Sequence, residues 1–378
     1  MKKLFLLLVV TALAFFSCNN NFSDKKIAGS AGIKNIDSNN TQAGIILPTG
    51  AMNAARAAHT ATLLLNGNVL ITGGMSTNGI FFASAELYNP ATGKFTLTGN
   101  MTTKRVGHSA ILLKDGNVLI MGGSNHEDGP LISAEIYNTT TGSFTSVGNI
   151  TSIGGSFNAQ LADGKVLIVG GADGLSAELY DPVTRTFTPT GKVNQPISNT
   201  STLLNNGSVL LTGGGTPPDI AVYANAELYD PSTGVFSVTG NMVTPRNKYA
   251  AILLADGKVL IAGGTNGHSR ATGQLKNAEL YDPAKKTFTA IPDMNVPHYK
   301  FNKAIVLLTN GKVLIAGGNA NAEIYDPIKN SFSIVKGNFD EARYFASATL
   351  LQNGNVLITG GYRTGDIQST TSAWIYKF

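Results

Sequence analysis

Basic side chains recur at one position of the chain, ten residues before an Asn-Gly or Asp-Gly dipeptide. Cations repeated in this way can form a ring that holds a carboxylate through charge-assisted hydrogen bonds, which fits a carboxylated sugar or an acidic peptide. Because the position is tied to a repeat, the favoured alternative is structural: each cation ties its own unit together by donating hydrogen bonds to loop carbonyls. The sequence leaves both functions open for Arg56, Arg105, Arg246, Lys300 and Arg343.

A second group of candidate ligand-binding residues lies outside that pattern. The segment Asn125-His126-Glu127-Asp128 carries side chains that can bind metals, and His268 and Arg270 lie in the longest variable loop. Tyr362 is an aromatic residue that could stack on a sugar ring. Solvated loop tips have the same composition, so we predict no metal site and no cofactor.

Two further sets of polar residues follow the repeat and are predicted to be structural. His59 and His108 occupy one position of an inner strand, where a buried, hydrogen-bonded side chain is expected rather than a ligand. Six glutamates share another position, which indicates a contact within the repeat and not a catalytic acid. They are Glu86, Glu135, Glu178, Glu227, Glu279 and Glu323.

The elements that position these residues follow from a period of about 48 residues. Diglycines recur seven times, from Gly73-Gly74 to Gly360-Gly361, and a turn dipeptide such as Asn66-Gly67 precedes each by seven residues. Asn-Gly and Asp-Gly tolerate the positive φ values that a tight hairpin needs. Six units continue with Ala-Glu-Leu-Tyr or Ala-Glu-Ile-Tyr and a phenylalanine seven residues after the tyrosine. Each unit therefore predicts four short antiparallel strands.

Four strands in a unit of this length are typical of a β-propeller blade. The hairpin, the diglycine and the tyrosine followed by an aromatic residue resemble the kelch repeat, with phenylalanine in place of its usual tryptophan. The resemblance covers the chain from about residue 44 to residue 378. It implies an all-β, seven-bladed kelch-type β-propeller with four antiparallel strands per blade.

The chain ends suggest how the ring closes. The last unit stops at Phe378, after its third strand, so that its fourth strand is missing. Residues 45–52 match the fourth strands of other units, and Pro48 has a counterpart in Pro189. We therefore predict that this N-terminal strand completes the seventh blade, at a sheet edge where a proline is tolerated.

The first 43 residues read as an export signal and a tether. Lys2 and Lys3 precede an apolar run that is too short to span a bilayer, and Ser17 precedes the only cysteine of the chain, Cys18. This resembles a bacterial lipoprotein signal over residues 1–17, which implies lipid attachment at Cys18 and a location in the outer membrane or at the cell surface. Residues 18–43 are polar and rich in Asn and Ser, as in a flexible tether.

Composition and motifs exclude several functional classes. The formal net charge is +5, two units of which come from Lys2 and Lys3, so no nucleic-acid partner is indicated. Kelch propellers include galactose oxidase, but its cysteine–tyrosine cross-link has no counterpart, because Cys18 precedes the propeller. A sialic acid mutarotase, acting through arginine and acidic residues at the pore mouth, remains the alternative. The favoured function is a monomeric binding module for a protein or a glycan, which contacts its ligand through the loop face.

Overall fold

The computed structural model describes residues 44–151, 157–170, 175–195, 200–216, 221–267, 273–363 and 368–378. Regular structure in these ranges consists of β-strands, and they contain no helix long and apolar enough to cross a membrane. Seven four-stranded antiparallel sheets follow one another along the chain. The predicted signal, the predicted tether and Cys18 lie outside the described residues.

The first strand, β1 (Ile45–Pro48), belongs to the last blade, as described below. The next blades follow in chain order, and the second carries an additional two-stranded hairpin, β8 with β9. The first blade contains β2 (Thr60–Leu63), β3 (Val69–Thr72), β4 (Ala85–Asn89) and β5 (Lys94–Leu97). The second contains β6 (Ser109–Leu112), β7 (Val118–Met121), β8 (Ser124–Asn125), β9 (Gly129–Pro130), β10 (Ser133–Asn138) and β11 (Ser143–Asn149).

The third, fourth and fifth blades repeat the same order from the innermost to the outermost strand. The third contains β12 (Phe157–Gln160), β13 (Val166–Gly170), β14 (Ser176–Asp181) and β15 (Thr186–Pro189). The fourth contains β16 (Thr200–Leu203), β17 (Val209–Thr216), β18 (Ala221–Asp230) and β19 (Val235–Val238). The fifth contains β20 (Ala250–Leu253), β21 (Val259–Ala262), β22 (Ala278–Asp282) and β23 (Thr287–Ile291).

The last two blades complete the ring. The sixth contains β24 (Ile305–Leu307), β25 (Val313–Ile315), β26 (Glu323–Asp326) and β27 (Ser331–Ile334). The seventh contains β28 (Ser347–Leu350), β29 (Val356–Thr359) and β30 (Ala373–Lys377), with β1 as its outermost strand. Inner strands of neighbouring blades contact one another all the way round, including β28 with β2. The predicted seven-bladed propeller is therefore confirmed.

The N-terminal strand closes the ring as the sequence predicts. β1 pairs antiparallel with β30, with Ile45 opposite Lys377 and Pro48 opposite Trp374. Proline fits there because β1 is the outermost strand of its sheet and presents an edge that needs no further ladder bond. The seventh blade is thus built from both ends of the propeller, so that the first and last strands hold each other in place.

The core lies between the blades. The second strand of the first blade shows why: Val69 and Ile71 pack against the seventh blade, whereas Leu70 packs against the second. Continuous Val, Leu and Ile runs suit such strands, because both faces of the sheet are covered. In the described residues, an apolar cluster fills each of the seven interfaces between neighbouring blades.

The diglycines allow neighbouring blades to approach closely. Gly73 in the first blade has a φ of +61°, and a Cβ atom on it would lie 2.5 Å from the Arg105 carbonyl oxygen of the second blade. A positive φ and a close backbone contact both require glycine here, which explains why the dipeptide recurs at one place in the unit.

Candidate functional site

Three of the predicted cations lie inside their blades in buried ion pairs. Arg56 pairs with Glu86 at 2.7 Å, Arg105 with Glu135 at 2.7 Å and Arg246 with Glu279 at 2.8 Å, as measured from Nη2 to Oε1. All six side chains are at most 1 % exposed. Burial lowers the pKa of each arginine, and the partner glutamate opposes that shift.

Each pair connects several parts of the propeller. In the second blade the Nη1 atom of Arg105 donates to the Gly122 carbonyl at 2.8 Å, beside the diglycine. Glu135 accepts a further bond from the backbone N–H of Thr102, at 2.7 Å, in the chain that arrives from the first blade. Through these bonds the arginine and the glutamate connect the diglycine of the second blade to the chain segment that arrives from the first blade. This is the structural alternative that the sequence left open for these arginines, and it matches the blade contact predicted for the glutamates.

Arg343 shows what happens where the glutamate is missing. In the seventh blade Trp374 occupies the position that glutamate holds elsewhere. The Arg343 guanidinium carbon lies 5.4 Å from the centre of the Trp374 ring, and Nη2 donates to the Phe339 carbonyl at 3.3 Å. A cation–π contact thus replaces the ion pair.

Lys300 is not the structural counterpart of the arginines, although the count from the hairpin places it there. His298 occupies that place: its Nδ1 lies 2.6 Å from the Gly317 carbonyl oxygen, and its Nε2 lies 3.4 Å from Oε1 of Glu323. The sixth blade has two additional residues, Asn302 and Lys303, between this position and the inner strand. These two extra residues shift the count from the hairpin by two, so Lys300 lies in a different environment from the arginines.

A belt of backbone hydrogen bonds runs along five consecutive blades on the loop face, near the propeller axis. Five residues, each two positions after Arg56, Arg105, Arg246, His298 or Arg343, have φ values between +52° and +65°. In four of them the backbone N–H donates to the carbonyl of the corresponding residue in the preceding blade, at 2.7 to 3.0 Å. From the fifth blade round to the second, the five residues are Lys248, Lys300, Phe345, Ala58 and Gly107. Non-glycine residues held at positive φ carry backbone strain and are often found where a protein functions.

Cationic and aromatic side chains gather on this belt, and we call Lys248, Tyr299, Lys300, Phe345 and Tyr362 the mouth cluster. The Lys300 ammonium lies 5.1 to 5.3 Å from the centres of the three aromatic rings and donates to the Tyr362 hydroxyl at 2.6 Å. The Lys248 ammonium lies 5.7 Å from the Tyr299 ring centre and donates to its hydroxyl at 3.4 Å. Lys248 and Phe345 are partly exposed, whereas Lys300 is only 4 % exposed.

His126 joins two loops of the same face. Its ring stacks on Phe81 with centroids 4.2 Å apart, and Nε2 donates to the Gly79 carbonyl at 2.9 Å. The neighbouring Asn125 accepts bonds from its own loop and donates to Asp128 at 2.9 Å. Among the described residues, no group of three or more His, Cys, Asp or Glu side chains is placed to hold a metal ion.

The inner-strand histidines are buried and hydrogen-bonded, as predicted, and their partners lie in neighbouring blades. Nε2 of His59 lies 2.8 Å from the Thr359 hydroxyl, and Nε2 of His108 lies 3.0 Å from that of Thr72. Burial holds the pKa of both histidines well below the usual value, and the positive charge of Lys303 adds to this effect. His268 and Arg270 lie outside the described residues.

The residues of the mouth cluster were only partly predicted from the sequence. It included Lys300 and Tyr362 but missed Lys248, Tyr299 and Phe345. A signal was present: His298 stands 12 residues before Asn310, whereas Arg56 stands ten before Asn66. Aligning the units on the diglycine and the glutamate together would have revealed the insertion.

Comparison with known proteins supports the fold. The kelch motif matches residues 246–295, which correspond to the fifth blade. No curated protein sequence matches the chain. A solved structure with the same fold is described as a novel fungal alcohol oxidase with catalytic diversity among the AA5 family, in complex with copper. It is 18 % identical, covers 89 % of this chain and 76 % of its own, and gives a TM-score of 0.72.

These matches confirm the resemblance to a kelch, galactose oxidase-like β-propeller. The copper belongs to the fungal oxidase, and an identity of this size carries only the fold to the present chain. Propellers of the kelch type commonly serve as binding or scaffold modules, and their sites lie on loops that a rigid scaffold holds in place.

Proposed function

We propose that this propeller is a binding module for a carboxylate-bearing ligand, with a carboxylated glycan as the first candidate and an acidic protein segment as the second. The single observation that carries the proposal is the mouth cluster. It combines two ammonium groups from adjacent blades with aromatic rings on a strained backbone belt. Aromatic faces stack on sugar rings, and ammonium groups attract a carboxylate.

The other sequence candidates have a smaller part in this proposal. Buried glutamates already compensate the charges of Arg56, Arg105 and Arg246, so we assign these arginines to support of the loops. The alternative function, a sialic acid mutarotase, would need arginine and acidic residues at the pore mouth. We assign no residue of this chain to that catalytic role. His126 contributes by fixing the loops of the first two blades beside the mouth, through its contacts with Phe81 and Gly79.

Replacing both mouth lysines tests the proposal. We expect Lys248→Gln combined with Lys300→Gln to weaken binding of a carboxylated ligand by at least about tenfold, because a hydrogen bond to a charged group is worth about 1.5–3 kcal/mol. A glycan and acidic-peptide array, probed with the wild type and this double variant, measures the effect. Lys258→Gln, in a hairpin on the opposite face, is the matched control and should bind like the wild type. Equal signals from all three proteins on carboxylated spots would contradict the proposal.

We also propose that the protein is exported and anchored to a bacterial membrane by lipid on Cys18. Gly44 lies beside Lys377, at the end of the seventh blade opposite the loop face. A tether that leaves from this side would let the mouth cluster face away from the membrane.

Changing the proposed anchor should release the protein. We expect Cys18→Ser to move most of the protein from the membrane fraction to the soluble fraction, because two or more acyl chains are needed for stable anchoring. Fractionation followed by immunoblotting measures the shift, and Ser17→Ala serves as the neighbouring control. A serine variant that stays with the membrane would argue against anchoring at this residue.

A further inference from the structure

A polar cavity lies on the propeller axis, below the mouth cluster. Its volume is about 260 Å³, and it is lined by inner-strand residues from six blades and by Asn302 and Lys303 of the sixth. Among them are Thr60, Ser109, Asn158, Ser201 and Ser347. Most of these repeat the small polar or alanine side chains that an inner strand needs, and they carry no charge.

Lys303 departs from that pattern. It belongs to the two-residue insertion of the sixth blade, where the chain turns so that the Ala304 N–H donates to the Phe301 carbonyl at 2.7 Å. The turn directs Lys303 into the cavity, and its ammonium crosses the axis to donate to the His108 carbonyl of the second blade at 2.6 Å. The repeat does not require this residue, because the other blades pass directly from the corresponding position to the inner strand.

The surroundings of the ammonium leave its charge uncompensated. Within the described ranges no carboxylate lies within ion-pair distance of Lys303, and the nearby His59 and His108 are uncharged at neutral pH. Removal from water lowers the pKa of Lys303 to about 8, which reflects the cost of holding this cation inside the ring. Lys303 is only partly exposed, and a charge withdrawn from water in this way is stabilised by a counterion.

The cavity also offers neutral donors. Asn302 and Asn158 line it beside Lys303, and each carboxamide has two N–H donors. One donor of Asn158 is used by Ser109, in a short bond across neighbouring blades. The hydroxyls of Ser201 and Ser347 donate to backbone carbonyls, at 2.7 and 3.2 Å, and so contribute polar walls rather than donors.

We propose that the axial cavity is a binding site for a small monovalent anion, a halide or a short carboxylate, held by Lys303 with Asn302 and Asn158. The lining of the cavity contains no residue of the mouth cluster, so this site is separate from the mouth cluster and does not depend on the proposed function. The anion would compensate the one cation that the insertion places on the axis.

Thermal unfolding with bromide and with formate tests the site. The melting temperature of the wild type should rise when either anion is added at fixed ionic strength, whereas the melting temperature of Lys303→Met should not rise. Lys258→Met, which removes an exposed lysine on a hairpin, is the control and should behave like the wild type. A response to bromide alone would restrict the site to halides, and a response to formate alone to carboxylates. Equal responses of all three proteins to both anions would overturn the proposal.

A measurement on the wild type keeps the proposal falsifiable if Lys303→Met does not fold. Lysine labelled at Cε allows the Lys303 ammonium to be titrated by NMR. Bound bromide or formate should raise its apparent pKa by about one unit, a tenfold increase in proton affinity, because an adjacent opposite charge favours the protonated form. A pKa that neither anion changes would contradict the proposal.

Discussion

Replacing Arg105 with alanine is expected to lower the free energy of unfolding by about 3–5 kcal/mol, the usual cost of breaking a buried ion pair. The change leaves Glu135 fully buried without its cation and removes donors from the Gly122 and Ser133 carbonyls. Because Glu135 also accepts the Thr102 N–H, the damage should spread to the contact with the first blade. Urea unfolding of the variant and the wild type measures the difference.

The neighbouring residue supplies a matched control. Lys104 forms an ion pair with Glu127 at 3.8 Å, but these side chains are 57 % and 76 % exposed. Lys104→Ala should therefore change stability by less than about 1 kcal/mol. A double-mutant cycle with Glu135→Gln isolates the coupling between Arg105 and Glu135. If Arg105→Ala were as stable as Lys104→Ala, the arginine would be free for ligand binding and its structural assignment would be wrong.

Removing residues 45–52 is expected to produce the second large effect, a loss of about 5 kcal/mol or more. Ile46 and Met52 are 5 % and 3 % exposed, and deleting each buried side chain costs about 2–5 kcal/mol. The deletion also exposes the edge of β30, which pairs with β1 along its length. Unpaired strand edges promote association between chains, so the truncated protein should aggregate at concentrations where the wild type does not.

The control for this truncation removes a stretch of similar length, residues 26–33, from the predicted tether. It should leave the melting temperature unchanged, because that segment has no sustained apolar period. Calorimetry gives the melting temperatures, and light scattering gives the association state. A truncated propeller as stable and monomeric as the control would show that closure of the ring does not depend on β1.

The fold could be predicted from the sequence because its determinants are local and repeated. Asn66-Gly67 and its six counterparts specify hairpins, and diglycines such as Gly73-Gly74 mark where blades approach each other. Closure of the ring could also be predicted, because Pro48 and its neighbours resemble the fourth strand of a blade. Each of these features depends on a few adjacent residues, and seven repetitions make the pattern unambiguous.

The candidate site was less accessible because it depends on departures from the repeat. Counting from the hairpin placed Lys300 in the arginine series, but the insertion of Asn302 and Lys303 had shifted the count. The burial of Arg56 depends on Glu86, 30 residues later in the chain, and the spacing alone does not state whether a cation pairs or stays free. Lys248 carries no motif, and only its place on the belt brings it to Tyr299.

The most direct test of the proposed function is a calorimetric titration of the strongest carboxylated array ligand into the wild type, Lys248→Gln/Lys300→Gln and Lys258→Gln. We predict that the double variant binds at least about tenfold more weakly than the other two proteins. Identical dissociation constants for all three proteins would contradict a binding site at the mouth cluster.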